Sequence, residues 1–164
     1  VLFRSYWAYE EAIIHEMDWG ENFGEDVKWY CLPTRHFSNR LFGANQTLWA
    51  SFLIDCGGKK IYIGGDGGYD DRFSRIQKQF GTIDLAIMEN GQYNQNWAYT
   101  HMLPADLEKA MEDLKAKSYF TVHHDKFSLA PHAWNEPDEV VLRMKEKHPD
   151  WQILDQPVGN IIRL

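Results

Sequence analysis

The spacing of apolar residues divides the chain into two parts that meet near residue 66. In the first part, short runs of β-branched and aromatic residues bounded by glycine, proline or acidic turns predict strands over 12–14, 27–32, 45–55 and 60–63. In the second part, strands predicted over 83–88, 119–122 and near Ile153 and Ile161 alternate with helices predicted over 70–80, 104–117 and 136–147. Hairpins followed by β-α-β units indicate an α/β domain with a mixed sheet of about six or seven strands and helices mainly on one face.

Asp66 lies just beyond the strand predicted over 60–63, between two pairs of glycines. Glycine on both sides lets the backbone turn sharply and lets a ligand come close to the chain. Site residues of α/β folds commonly stand at such strand ends. Asp and Gly also form ordinary turns, so a turn cap without further function is the alternative for Asp66.

Composition narrows the class of protein. The 164 residues are 44% hydrophobic, which predicts one globular domain with a real core. The net charge of −7 argues against nucleic acid as a partner and suits a protein that collects divalent cations. No apolar run approaches membrane-spanning length and no signal-peptide pattern opens the chain, so we expect a cytoplasmic protein.

Two features bear on the chain's chemistry and its processing. Cys31 and Cys56 fall in apolar, strand-like runs, and we expect both to be buried free thiols in a reducing compartment. The sequence begins at Val1 without an initiator Met, so we expect an internal cut or a processed end.

Four ionisable side chains follow the ends of different predicted strands: His36, Asp66, His101 and His123. Such strand ends can converge on one edge of a sheet. Imidazole and carboxylate are ligand types that zinc, manganese and iron accept. A single histidine is more often structural, but three at equivalent strand ends with an aspartate in a glycine frame favour a metal site. His15 and His148 lie on amphipathic elements and are interpreted as surface residues.

Several motifs together resemble a known family. They are Pro-Thr-Arg-His-Phe-Ser over 33–38, Thr-Leu-Trp-Ala-Ser-Phe over 47–52, Gly-Asp-Gly-Gly-Tyr over 65–69, Asp-Leu-Ala over 84–86, Thr-His-Met over 100–102 and Val-His-His over 122–124. In this order they resemble the second half of metallo-β-lactamase-fold hydrolases over nearly the whole chain. The branch is that of N-acyl-phosphatidylethanolamine phospholipase D and the ascorbate-6-phosphate lactonase-like hydrolases.

The resemblance implies functions for particular residues. It implies that His36, Asp66 and His123 are metal ligands, with Asp66 bridging two ions. It implies that His101 lies beside the metal, where it positions the substrate or assists proton transfer, so that Asp66 and His101 are the catalytic pair. The loop over 129–137, with His132 and Trp134, is implied to edge the substrate site. The implied cofactor is zinc, as one or two ions, with manganese or iron as alternatives.

The implied reaction is attack of a metal-bound hydroxide on a phosphodiester or lactone bond of a small-molecule or lipid-like substrate. The family's remaining ligands come from a His-x-His-x-Asp-His motif in its first half, and this sequence lacks that motif. Residues 1–164 therefore resemble only the second half of an αββα domain. The alternative is a truncated half-domain without catalytic activity that is stabilised by self-association.

The predicted strands around 48–53 and 61–63 carry apolar residues on both faces, as in a sheet that is covered on both sides. The three predicted helices can cover one face only, and a large exposed apolar surface is unusual for a monomer. We therefore expect either a homo-oligomer or a complex with a complementary first-half chain that brings the missing ligands.

Overall fold

The computed structural model describes residues 14–40, 43–45, 48–127, 129–155 and 159–163. Its strands are β1 (Asn22–Phe23), β2 (Val27–Pro33), β3 (Asn39–Arg40), β4 (Gly43–Ala44), β5 (Ala50–Cys56), β6 (Lys59–Ile63), β7 (Leu85–Glu89), β8 (Ser118–Val122) and β9 (Gln152–Leu154). Its helices are α1 (Arg72–Phe80), α2 (Pro104–Leu114) and α3 (Glu136–Lys147), and a 3-10 turn (Gln95–Trp97) precedes α2.

Seven strands form one mixed sheet in the order β1-β2-β5-β6-β7-β8-β9, and β3 and β4 form a separate ribbon. The pairs from β1 to β6 are antiparallel, and the pairs from β6 to β9 are parallel. The predicted α/β fold with a mixed sheet is therefore confirmed. Because β6, β7 and β8 run in the same direction, their carboxyl ends meet at one edge of the sheet.

One buried cluster joins the sheet to all three helices. A row of buried side chains in register crosses five strands: Leu53, Tyr62, Ala86, Tyr119 and Ile153. The helices add to the same cluster Phe73 and Ile76 of α1, Leu107, Ala110, Met111 and Leu114 of α2, and Val140, Val141 and Met144 of α3. Since side chains alternate between the two faces of a strand, this row and the helices define one covered face.

The opposite face carries a second apolar row in register, which is only half-buried: Phe52, Ile63, Ile87, Phe120 and Leu154. Trp29 of β2 makes an edge contact with Phe52, with ring centroids 6.4 Å apart, and is 37% exposed. We name these six residues the open face. An apolar surface of this kind on a sheet is typical of a contact with a further protein layer.

Several element ends differ from the predicted ones. The helix predicted over 104–117 ends at Leu114 because Lys115 adopts a left-handed backbone with φ 52°. The helix predicted from residue 70 begins at Arg72, whose backbone N–H donates to Asp70 Oδ1 at 2.9 Å. The strand predicted from residue 45 begins at Ala50 among the described residues.

Two strands were also predicted near the ends of the chain. The strand predicted near Ile161 is wrong, since residues 159–163 form no strand in the part of the chain that the structure describes. Most of the strand predicted over 12–14 lies outside the described residues.

The two cysteines are both free, as predicted, but only one is buried. Cys31 lies inside the sheet, whereas Cys56 is exposed at the end of β5, beside the hairpin turn at Gly57 and Gly58. Among the described residues, none of the helices has both the length and the apolar character needed to cross a bilayer.

Asp84, just before β7, accepts hydrogen bonds from the amino ends of the neighbouring strands β6 and β8. It is buried, with Oδ2 accepting from the Lys60 backbone N–H at 2.9 Å and Oδ1 accepting from Lys117 Nζ at 2.8 Å. The Lys117 ammonium, followed by the Lys60 N–H, lowers the pKa of this carboxyl below its ordinary value. A lowered folded-state pKa stabilises the fold above the unfolded pKa and stops doing so as the pH falls through the folded one.

We predict that Asp84→Asn lowers the free energy of unfolding at neutral pH by about 1 kcal/mol, the net value of hydrogen bonds of this kind. Chemical denaturation at a series of pH values measures the effect, and the gap from wild type should close below about pH 4. Asp71→Asn is the control, because Asp71 pairs only on the surface with Arg75 and should change stability by less than about 0.5 kcal/mol. A gap that stays constant with pH would contradict the assignment.

Candidate metal centre

The glycine frame of Asp66 is required by close packing. A Cβ added at Gly67 would lie 2.1 Å from Thr34 Oγ1, and one added at Gly68 would lie 2.5 Å from the Tyr99 carbonyl oxygen. Gly65 also has a left-handed backbone, with φ 62°. The loop that carries Asp66 is therefore held between two other segments, which is more than an ordinary turn needs.

Asp66 and His123 meet at the carboxyl ends of β6 and β8. Asp66 Oδ1 lies 3.2 Å from His123 Nε2. The hydrogen bond that His123 Nε2–H donates to the Asp66 carboxylate raises the pKa of His123 to about 9 and lowers the pKa of Asp66. In the metal-free chain these two groups form an ion pair at neutral pH.

His123 holds its position through an unusual backbone. Its φ is 76°, and that of Asp125 is 67°, so two non-glycine residues adopt the left-handed conformation directly after β8. Such residues cost on the order of 1 kcal/mol each and concentrate at functional sites. The consequence here is a sharp turn that brings the imidazole of His123 to Asp66.

Three histidine rings stand side by side. The His101 centroid lies 5.3 Å from that of His123 and 5.1 Å from that of His36. His36 Nδ1 is hydrogen-bonded to the Phe37 carbonyl at 2.7 Å, which makes Nδ1 the donor and leaves Nε2 without a proton on a neutral ring. The structure thus brings His36, Asp66, His101 and His123 together at one edge of the sheet.

Glu89 completes this group from the end of β7. It is 1% exposed, and its Oε2 lies 3.0 Å from His101 Nδ1. Among the described residues, Glu89, His101 and His123 offer donor atoms that all lie within 4.8 Å of one another. Glu89 was not predicted, because the sequence pattern placed it at the start of an irregular loop. The signal that could have found it is an acidic residue directly after an apolar strand.

The residues present fit a divalent metal ion. Two imidazoles and a carboxylate on different elements are the donor types that zinc, manganese and iron accept. Asp66 and His123 are in mutual contact, but among the described residues the set of His36, Asp66 and His123 is not one whose donor atoms all lie within 4.8 Å of one another. His36, Asp66 and His123 stay the predicted ligand set, with His101 beside them.

The two residues of the predicted substrate loop lie beside Gln92, in the segment that follows β7. His132 Nε2 accepts from the Gln92 backbone N–H at 3.0 Å, and its Nδ1 contacts the Ala133 carbonyl at 2.8 Å, so both ring nitrogens hold backbone in place. Trp134 is 74% exposed. Both residues line a small cavity of about 240 Å³ together with Phe127 and Pro137. A contact of either residue with substrate stays a prediction.

Comparison with known proteins identifies the class. A family model described as the beta-lactamase superfamily domain matches residues 3–124. The chain therefore belongs to the metallo-β-lactamase superfamily of metallo-hydrolases, as the sequence motifs suggested.

The chain is also similar to individual proteins of known name. The chain is 51% identical over 94 residues to the outer membrane protein RomA of Klebsiella pneumoniae, a match over 57% of this chain and 71% of that protein. It is 37% identical over 120 residues to the mitochondrial N-acyl-phosphatidylethanolamine-hydrolyzing phospholipase D of Saccharomyces cerevisiae, a match over 70% of this chain and only 26% of that protein. These two names give different cellular locations, and a cytoplasmic location stays a prediction.

A solved structure shows the shared fold. The metallo hydrolase Igni18 from the archaeon Ignicoccus hospitalis superposes with a TM-score of 0.67 at 16% identity, covering 88% of this chain and 57% of that one. The chain thus spans little more than half of this structural neighbour.

The Asp66–His123 pair can be tested without metal. We predict that His123 in the chelator-treated chain titrates at a pH of about 9 and that Asp66→Asn returns its pKa to about 6.5 or below. Because the pKa of His123 is raised and that of Asp66 is lowered, the pair stabilises the fold fully between about pH 4 and about pH 6.5. This contribution is lost as the pH rises through about 9 or falls through the lowered pKa of Asp66. Imidazole chemical shifts followed by NMR measure the pKa. An unchanged His123 titration in Asp66→Asn would contradict the pairing.

Proposed function

We propose that this chain carries the metal site of a zinc-dependent hydrolase that cleaves phosphodiester bonds. The observation that carries the proposal is the Asp66–His123 pair with two further imidazoles beside it. The named activity of the yeast relative favours a phosphodiester over a lactone. When bound, the ion would supply a nucleophile at neutral pH and stabilise the negative charge that develops in the transition state.

The chain's own residues would have separate functions. His36, Asp66 and His123 would hold the ion, with water completing a four-coordinate site. His101 would contact the substrate or exchange a proton with it, because its ring packs against those of both His36 and His123. The cation–π contact of Arg35 with Tyr99, with Cζ 4.4 Å from the ring centroid, would support the rim of the same edge.

Metal uptake is the first test. Zinc content measured after dialysis should be about one ion per chain for wild type, since three protein ligands and water satisfy one zinc. Asp66→Ala should lose most of this zinc while staying folded, with only a small loss of stability from the broken pair, because the Asp66 side chain is half exposed. Asp71→Ala, a solvent-exposed aspartate of the same type, should retain the metal. Equal zinc uptake by both variants would overturn the ligand set.

Hydrolysis is the second test, with bis(p-nitrophenyl) phosphate as substrate for the zinc-loaded chain. We expect turnover that Asp66→Ala abolishes, and that His101→Ala lowers by at least about 100-fold without loss of zinc, the usual range for a proton-transfer group. Zinc binding without any turnover would contradict the enzyme and favour the alternative of a half-domain without catalytic activity.

The open face supports a further proposal about partners. We propose that two copies of the chain pack their open faces together, because this face is apolar while the described helices cover the other one. Burying about 800 Å² per partner at about 25 cal/mol per Å² gives a large gross driving force before the entropy of association is subtracted.

Analytical ultracentrifugation at micromolar concentration tests this association. The expected mass is twice the 19.3 kDa of the chain, and Phe52→Glu should shift it to the monomer because the charge would be buried in the interface. Ala105→Glu is the control, since Ala105 is exposed on α2, a helix that packs on the covered face. A clean monomer of wild type would refute self-association.

A further inference from the structure

Glu89 is a buried carboxylate that the proposed metal site does not use. Its Oε2 accepts from the Gly67 backbone N–H at 3.1 Å and contacts His101 Nδ1 at 3.0 Å. Its Oε1 accepts from the Met102 backbone N–H. One side chain thus joins the loop that carries Asp66 to the segment that carries His101, across 22 and 12 residues of sequence.

The chemistry of these contacts determines which ring nitrogen of His101 carries the proton. The two backbone groups can only donate, so both carboxylate oxygens already serve as acceptors. A buried carboxylate is tolerated when such donors surround it, and an ionised carboxylate can only accept. His101 must then donate through Nδ1–H, which leaves Nε2 without a proton whenever the ring is neutral.

We propose that Glu89 is a positioning residue that holds His101 as the Nδ1–H tautomer and directs its bare Nε2 toward the site. The inference deepens the proposed function and rests on it for the contact between His101 and substrate. A bare Nε2 can accept a hydrogen bond or a proton from a water or hydroxyl group at the site. The same carboxylate fixes the position of the Asp66 loop through Gly67, so the two halves of the site keep a constant separation.

Ligation of the metal by Glu89 is the competing interpretation, because its donor atoms lie close to those of His101 and His123. A metal ion on Oε2 would have to displace the N–H donors of Gly67 and His101. The N–H of Gly67 is buried, and leaving a buried N–H without a partner is costly. The hydrogen bonds therefore favour positioning over ligation.

Imidazole ¹⁵N shifts of the metal-free, ¹⁵N-labelled full chain test the proposal, recorded over a pH series up to the range in which the His101 signals no longer change and the ring is neutral. The His101 signals are assigned by their loss in His101→Gln. In wild type we expect the proton on Nδ1 and a bare Nε2. Glu89→Gln turns an amide NH₂ toward the ring or its neighbours, so the Nδ1–H form should be lost or mixed with the Nε2–H form.

His132 provides an internal control. Its Nδ1 contacts the Ala133 carbonyl and lies 4.0 Å from Glu136 Oε2, and its Nε2 accepts from Gln92. Because a carbonyl and a backbone N–H set its tautomer, Glu136→Gln and Glu89→Gln should both leave His132 as the Nδ1–H form. A changed His132 tautomer in Glu89→Gln would show a general disturbance of the fold and overturn the specific assignment.

The wild-type spectrum alone can refute the proposal, whether or not the variants fold: a proton on Nε2 of His101 overturns it. Zinc uptake by Glu89→Gln separates positioning from ligation. A positioning residue that acts through its neighbours lowers metal affinity by no more than about 100-fold, whereas loss of uptake equal to that of Asp66→Ala would identify a ligand and overturn the proposal. The tautomer is measured without metal, so its outcome is independent of whether the chain hydrolyses phosphodiesters.

Discussion

The parallel pairing of β6, β7 and β8 is the constraint on which the site depends. Ile63 lies opposite Ile87, and Glu89 lies opposite Val122, so the three strands end at nearly the same level. Each strand end carries one ionisable group: Asp66 lies three residues after β6, Glu89 is the last residue of β7, and His123 follows β8 directly. Because ligands bind outside the carboxyl ends of parallel strands, the register of the sheet places the ionisable groups together before any side-chain contact is made.

His36 reaches the same edge by a different route, from the antiparallel strand β2. Its loop is tied to the Asp66 loop by the Gly68 N–H donating to the Arg35 carbonyl at 2.9 Å and by Arg35 Nη1 donating to the Tyr69 carbonyl at 3.1 Å. Thr34 Oγ1 adds a longer contact to the Asp66 carbonyl at 3.4 Å. These bonds bring the two loops so close that a side chain at position 67 would meet Thr34, whereas one at position 68 would meet the Tyr99 segment on the other side.

The sequence predicted the part of this arrangement that depends on local pattern. Strand ends followed by His36, Asp66, His101 and His123 could be read from apolar runs and breakers, and the mixed sheet followed from the order of the elements. Glu89 could not be found in this way, because its function depends on backbone donors 13 and 22 residues away in sequence. The end of α2 was missed for a related reason, since the left-handed Lys115 has no strong preference for that conformation.

The two faces of the sheet differ in how completely the chain's own helices cover them. The covered face contains the row from Leu53 to Ile153, closed by three helices, and it accounts for the fold of the described residues. The open face lies in the same strands as the site, with Ile63 three residues before Asp66 and Ile87 two residues before Glu89. A layer packed on this face would restrict the same strand ends that position the ionisable groups. Covering the open face would therefore bear on the geometry of the site as well as on stability, because one set of strands supports both.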